Sequence, residues 1–505
     1  MIIAELSSPE IQANGIWQGM SGSPVYDPAT QRLIGAVSYA LAMGPTTIAG
    51  ITPASEMLGM LPAEAPLPLR VAMPGTLRSS LVASGDATRA EAAAGLRRLP
   101  APLAVSGLTE RRFDQLDGWF GDGSVATRAT TSSSAAAPTI GIEPGGNLAA
   151  SVSYGTVTAA ALGTATAVCG KHVVGFGHPL DFAGDTTYAL HGASAIAIQP
   201  DVALAGFKLA NLGAPVGTVT EDRLTGLHGV IDLFPTTYDV SASATYRTRS
   251  AEGASHVSVP AWLSDIGLAT MASVNDRALD HAGEGSALSS WTIEGKRRNG
   301  DPFTVASADR YADGYDVAGA PLMDLAYQLY SLSENETERV TITSVTASTA
   351  FADDATSWRI GRTYWKSGGE WRRITARRPA VVRAGSSRTI RVELISRDRD
   401  SRFVSVRAAA PRNAAGKLGE MVLRGGSDGE DGYAIYADEE MMLEEMYGGS
   451  DLTTIPELIK SFRTAQKNDE IRSTVRFRGT RATHATLDLD EVVSGFAMLP
   501  IFAVR

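Results

Sequence analysis

The segment Gly19-Met20-Ser21-Gly22-Ser23-Pro24 sets a serine between two nearby glycines, just ahead of a Ser-Pro pair. Glycine reaches backbone angles that a Cβ forbids, so such a turn can present a hydroxyl and let a substrate carbonyl approach the backbone closely. Ser21 is therefore a candidate nucleophile, with the amides of Gly19 and Ser21 as candidate oxyanion donors. The same letters also describe a Gly/Ser turn in an ordinary β domain. A serine hydroxyl is barely nucleophilic at neutral pH and needs a base. Of the seven histidines (His172, His178, His191, His228, His256, His281 and His484), His178 has the most telling setting, Gly175-Phe176-Gly177-His178-Pro179-Leu180-Asp181. Between glycine and proline at a strand end, its ring can leave the sheet and face a cleft. The ordinary reading of any single histidine is a surface or satisfied core residue. A metal shared by His172 and His178 is set aside, because six residues of strand hold them about 20 Å apart.

The elements that must carry these two groups read as follows. Residues 1–75 form compact β structure bearing the serine: a strand at 1–4, then a hairpin of 24–26 and 33–39 joined by the turn Asp27-Pro28-Ala29-Thr30. A short helix is expected at 54–61. A strand at residue 1 has nothing before it to pair against, which points to a chain that begins inside a domain and to an N-terminally truncated peptidase region. Residues 76–139 form a helical, low-complexity connection, with helices at 87–99 and 109–116 and a Ser/Thr/Ala linker at 126–138. Residues 140–260 return to glycine-punctuated strands (149–157, 163–168, 172–176 and 216–219) and bear the histidine. A helical region at 261–335, with helices at 262–281 and 322–332, leads to a β-sandwich-like domain at 336–426 with strands at 341–349, 380–382, 389–394 and 403–408. Residues 427–505 are an acidic segment and an α/β extension. The acids of 427–449 read as a solvated face whose spacing fits no EF-hand.

Composition bounds the function. A chain of 505 residues is long for one domain and suits about three. With 44% apolar and 20% charged residues it can bury real cores. Forty-five Lys plus Arg against 55 Asp plus Glu, a net charge of −10, argues against a nucleic-acid partner. The single cysteine, Cys169, excludes an internal disulfide framework and a Cys-based zinc cluster. The uncharged stretches 35–54 and 148–170 are broken by Pro, Gly, Ser and Thr, so no transmembrane segment is expected. The first residues, MIIAELSSPEI, have no basic and apolar regions of a signal peptide.

These residues carry a resemblance. Gly15-Ile16-Trp17-Gln18-Gly19-Met20-Ser21-Gly22-Ser23-Pro24-Val25, followed by Leu33-Ile34-Gly35-Ala36-Val37, resembles the nucleophile region of the SpoIVB-type serine peptidases, sporulation and secreted bacterial enzymes of the chymotrypsin-like clan. Tyr154-Gly155-Thr156 and Gly163-Thr164-Ala165-Thr166, ending in Gly175-Phe176-Gly177-His178, resemble the strand region of that family's catalytic histidine. Gly217-Thr218-Val219-Thr220-Glu221-Asp222-Arg223 through Gly226 and Gly229 resembles the segment after it. The likeness covers 1–60 and 140–235. It implies a mainly β fold with some α: a chymotrypsin-like β-barrel peptidase region followed by a β-sandwich-like C-terminal region.

The resemblance also implies catalytic roles. Ser21 would be the nucleophile and His178 the general base, with Gly19 and Ser21 as the oxyanion hole and Met20 and 51–54 as pocket walls. A protein or peptide substrate, no metal, no cofactor and an extracellular or cell-envelope location follow from the same likeness. In the sporulation enzymes the histidine block comes first; the order here, serine first, resembles a larger group of exported bacterial proteins with this peptidase domain. The family's orienting acid would fall at 6–9, where Leu6-Ser7-Ser8-Pro9 stands, flanked by Glu5 and Glu10. Asp181 and Asp185 are the substitutes after His178. Without that acid, the alternative is a catalytically inactive secreted scaffold or binding protein on the same fold, or an unrelated β-rich protein in which both motifs are turns.

Overall fold

A computed structural model describes residues 1–41, 45–60, 70–71, 75–85, 87–99, 103–116, 126–128, 136–200, 206–427 and 454–505. Most of the expected linker (129–135) and nearly all of the expected acidic segment (428–449) lie outside these residues. The chain is mainly β with some helix. It divides into two units, residues 1–241 with 253–273 and residues 242–252 with 274–505. Among the described residues no helix is long and apolar enough to cross a membrane.

The first unit holds two sheets. One comprises β1 (Ile2–Glu5), β2 (Pro24–Tyr26), β3 (Leu33–Ala40), β4 (Ile48–Pro53), β5 (Arg70–Val71) and β6 (Leu96–Arg98), in the order β1-β4-β3-β6-β5 with β2 on β3. The strand at the start of the chain does have a partner: Ile2 pairs with Ile51 and Glu5 with Ile48. The helices α1 (Pro9–Asn14) and α2 (Ala54–Leu58) flank it, and Ser8 caps α1 by accepting from the amide of Ile11 at 3.1 Å. The connection after residue 75 is less helical than expected. It holds α3 (Gly75–Ser84), a shorter α4 (Arg89–Ala94), and then β6, because Gly95 turns the chain at φ +79 where a helix would need a negative value.

The other sheet follows as β7 (Leu103–Ser106), α5 (Glu110–Leu116), β8 (Ala126–Arg128), β9 (Asn147–Gly155), β10 (Thr158–Cys169), β11 (His172–Gly175), β12 (Gly184–Gln199), β13 (Phe207–Arg223) and β14 (Gly226–Ile231). Six of these strands pair in a ring, β9-β12-β13-β14-β11-β10 and back to β9, every pair antiparallel. A ring of six has little room inside, since barrel diameter grows with strand number. Its strands are accordingly built from small side chains on both faces, with Ala149, Ser151, Ser153, Ala159, Ala161 and Ala165 all 0% exposed. That crowding is the physical reason for the long uncharged Gly/Ala/Ser/Thr stretch at 148–170. The hairpin β15 (Tyr238–Tyr246) and β16 (Arg249–Val257) and the helix α6 (Leu263–Leu279) are divided between the two units.

The region 261–335 is not simply helical. Between α6 and α7 (Leu322–Ser333) lies the hairpin β17 (Gly285–Lys296) and β18 (Pro302–Asp313), whose residues pair from Gly285 with Asp313 to Lys296 with Pro302. β19 (Thr341–Ala352) adds to β17. The chain continues as β20 (Ser357–Ser367), β21 (Glu370–Arg373), β22 (Ala380–Arg383), β23 (Ser387–Ile395), β24 (Arg402–Ala409), β25 (Leu418–Gly425), α8 (Ile455–Thr464), β26 (Glu470–Phe477), β27 (Thr483–Asp488), β28 (Val492–Ser494) and β29 (Phe496–Val504). β21-β20-β23-β24 with β28 form one sheet and β22-β29-β25-β26-β27 the other. Ile390, Val392 and Leu394 of the first share a buried cluster with Met421, Leu423 and Ile501 of the second. The last described fifty residues therefore complete these sheets instead of forming a separate extension.

Candidate active site

The Gly19–Pro24 turn leaves α1 and leads into β2. Gly19 and Gly22 stand at φ +85 and +92, left-handed conformations that strain any side chain. At Gly22 the space is closed as well: a Cβ would lie 2.0 Å from the Thr164 carbonyl oxygen and 2.5 Å from the Phe176 nitrogen. Backbone on both sides cannot retreat as a side-chain tip would. Gly22→Ala is therefore expected to lower stability by about 3 kcal/mol or more, read as a shift of the urea unfolding midpoint.

The turn is laced to the ring of strands. The Thr164 amide donates to the Ser21 carbonyl at 2.8 Å, the Thr164 hydroxyl to the Gly19 carbonyl at 3.2 Å, and the Thr166 hydroxyl to the Gly22 carbonyl at 2.8 Å. The Lys208 ammonium donates to the Asn147 Oδ1 at 2.7 Å and to the Thr164 hydroxyl at 3.2 Å. Burial pulls this lysine down to about 8. Lys208 thus fixes the hydroxyl that supports the turn, a role its sequence neighbourhood does not announce.

The histidine arrives from β11. Phe176 (φ +63) and Gly177 (φ +67) both take left-handed conformations and swing the chain out of the strand. The non-glycine outlier is held by packing, for the Phe176 ring fills the space above Gly163, where a Cβ would meet it at 2.6 Å. From the other side, the Thr52 hydroxyl donates to the Gly177 carbonyl at 2.7 Å and lies 2.9 Å from the Ser38 hydroxyl. Residues 51–54, expected to wall the pocket, contribute this anchor.

These two turns bring Ser21 Oγ to 2.8 Å from His178 Nε2. The residues are 1% and 0% exposed. The other ring nitrogen, Nδ1, bonds the Pro179 carbonyl at 2.7 Å, which makes it the protonated nitrogen and leaves Nε2 to accept the serine proton. Among the described residues, the amides of Gly19 and Ser21 donate to no other group. The arrangement thus has a serine hydroxyl, an imidazole nitrogen able to accept its proton, and two disengaged amide donors.

Neither substitute acid reaches the imidazole. Asp185 lies at the surface, where its carboxylate pairs with Arg223 at 2.6 Å. The Asp181 side chain is exposed, and the residue's contribution is its amide. Ser8, near the position of the family's acid, serves as the cap of α1. The carboxylate that does bear on the site is Asp222, 0% exposed in β13. It accepts from the amides of Leu180 at 2.9 Å, Asp181 at 2.8 Å and Ala183 at 3.3 Å, and from the Tyr188 hydroxyl at 3.4 Å. The Leu180 amide and the Pro179 carbonyl belong to one peptide group. Asp222 therefore bonds the N–H end of the peptide whose C=O end holds His178. Burial pushes the Asp222 carboxyl up, while the three amides oppose that shift by favouring its charged form.

A second Ser–His contact is a useful contrast. Ser151 Oγ lies 2.8 Å from His191 Nε2, and both residues are 0% exposed. Ser151 sits within β9, flanked by paired partners Ala160 and Ala189, with no turn to free its amide. Burial pulls His191 down to about 4, so the ring stays neutral. His172 stacks on His228, with 3.0 Å between Nδ1 and Nε2. These histidines belong to the packing of the ring.

No protein-family model, curated protein or solved structure compared with the chain matches it.

Proposed function

We propose that this chain is a serine-type endopeptidase of the SpoIVB-like, chymotrypsin-related kind. The single observation that carries the proposal is the 2.8 Å contact between Ser21 Oγ and the unprotonated nitrogen of His178, on a glycine turn with two disengaged amides. In this reading Ser21 attacks a peptide carbonyl while His178 Nε2 takes its proton. The amides of Gly19 and Ser21 hold the developing oxyanion, and His178 returns the proton to the leaving amine. Water then releases the acyl group by the same steps in reverse roles. Asp222 steadies the imidazolium through the Pro179–Leu180 peptide. The substrate is a protein or peptide, met outside the cell or at its envelope. The two C-terminal sheets, packed as a sandwich, bind substrate, partner or envelope. Because the dyad is buried, its cover must open to admit a chain.

A second reading, a non-hydrolytic scaffold on the same frame, is favoured by that burial together with the placing of both candidate acids, Asp181 and Asp185, at the surface. A fluorophosphonate probe separates the two. Labelling of the full chain at Ser21, absent in Ser21→Ala and weakened in His178→Ala, is the result expected of the enzyme. A full chain that stays unlabelled over hours while correctly folded would mark the scaffold.

A further inference from the structure

Between residues 356 and 412 the sequence carries fifteen Arg and Lys against four Asp and Glu, within a chain whose net charge is −10. The sheet β21-β20-β23-β24 concentrates part of that charge on one face. Ile390, Val392 and Leu394 of β23 point into the core, so Thr389, Arg391 and Glu393 point away from it. Residues directly opposite in antiparallel strands share a face, and the pairings set Arg373 beside Tyr364, Tyr364 beside Arg391, and Arg407 beside Thr389. Lys366, two residues from Tyr364, joins them opposite Trp371. The one carboxylate among these outward positions is Glu393.

Apolar side chains are exposed among the cations: Trp371 at 39%, Phe403 at 43% and Ile395 at 47%. Their rings are not open platforms. The Arg391 guanidinium lies 3.9 Å from the Phe403 centroid and 5.4 Å from that of Trp371, and Tyr364 meets Phe403 edge-on at 6.0 Å. A single-stranded nucleic acid uses free aromatic faces for base stacking, and here the guanidinium already covers them. A face that mixes fixed cations with exposed Trp, Phe and Ile instead matches the two components of a lipid interface, anionic phosphates and an apolar layer beneath them.

We propose that this face docks on an anionic phospholipid bilayer, with Lys366, Arg373 and Arg407 on the headgroup phosphates and Trp371, Phe403 and Ile395 at the acyl boundary. The inference is independent of the hydrolytic reading. The full chain should co-sediment with vesicles of equal parts phosphatidylglycerol and phosphatidylcholine but not with phosphatidylcholine alone, and high salt should release it. Each surface cation contributes about a fivefold factor in binding, so Lys366→Glu with Arg407→Glu should weaken it by at least about tenfold. Trp371→Ala, which leaves the charge unchanged, should weaken binding at low salt. Arg383→Glu, an exposed charge on β22 in the other sheet, serves as the control and should bind as the parent does. Circular dichroism would verify that each variant is folded. Equal sedimentation with neutral and anionic vesicles, parental binding by the double variant, or binding to oligodeoxythymidylate with none to vesicles would each overturn the proposal.

Discussion

Ser21→Ala is expected to lower peptide hydrolysis by about five orders of magnitude, and His178→Ala by nearly as much, with the double variant no slower than the worse single one. In the proposed mechanism the hydroxyl and the imidazole act in one step. At 2.8 Å the proton has a single acceptor, so removing either group removes the same event. Free-energy losses that simply add would mean that the two residues work independently, and the dyad would fall. The substitution also acts on stability. Taking away Oγ leaves His178 Nε2 without that partner in a site that is 0% exposed, at a cost of about 1–3 kcal/mol. Burst kinetics with an activated ester, read beside urea unfolding, separates the chemical loss from the structural one. What remains after the double substitution measures the contribution of the Gly19 and Ser21 amides and of binding.

Both partners of that contact were legible because each is announced by local backbone chemistry. Gly19 and Gly22 are required where the turn runs through left-handed angles, and Gly177 with Pro179 brackets a histidine at a strand end. Tertiary pairing was less legible. The stretch 87–99 has the composition of a helix, yet Gly95 ends it and Leu96–Arg98 joins β3 and β5. The hairpin at 285–313 alternates buried and exposed residues around Asn299-Gly300, but its many Ser and Thr residues mute the apolar period by which strands are read. Closure of six strands into a ring leaves no spacing rule at all. It is visible only as a run of small residues, which equally describes a flexible segment. Asp222 was hidden for a related reason. Its partners are backbone amides about forty positions away, and backbone carries no residue-type signal. Phase does not mark it either, because β13 changes register between Val219 and Glu221; what calls for internal donors is the burial of the carboxylate itself.

That carboxylate carries the second large expected effect. Asp222→Ala removes the acceptor of three amides and should lower stability by about 2–4 kcal/mol, less than full burial would give because the segment 180–183 is partly open to water. Asp222→Asn is the sharper test. It keeps the shape and one acceptor oxygen, so most of the fold survives, but it removes the charge from the N–H end of the Pro179–Leu180 peptide. A charged acceptor there aligns and polarises that peptide, strengthening the grip of its carbonyl on His178 Nδ1–H and, in the proposed mechanism, favouring the imidazolium formed as Ser21 attacks. An acid in direct contact with a catalytic imidazole is worth about 10⁴ in rate. Acting through one peptide, Asp222 should be worth about 10–100, expressed in kcat with KM little changed. The direction of the pH effect follows from the sign of the charge. Without the carboxylate the imidazolium is less favoured, so the acid limb of the rate profile should move to lower pH in Asp222→Asn. A purely structural role would reduce the amount of folded protein and leave that limb where it is, so an unmoved profile would restrict Asp222 to holding the loop.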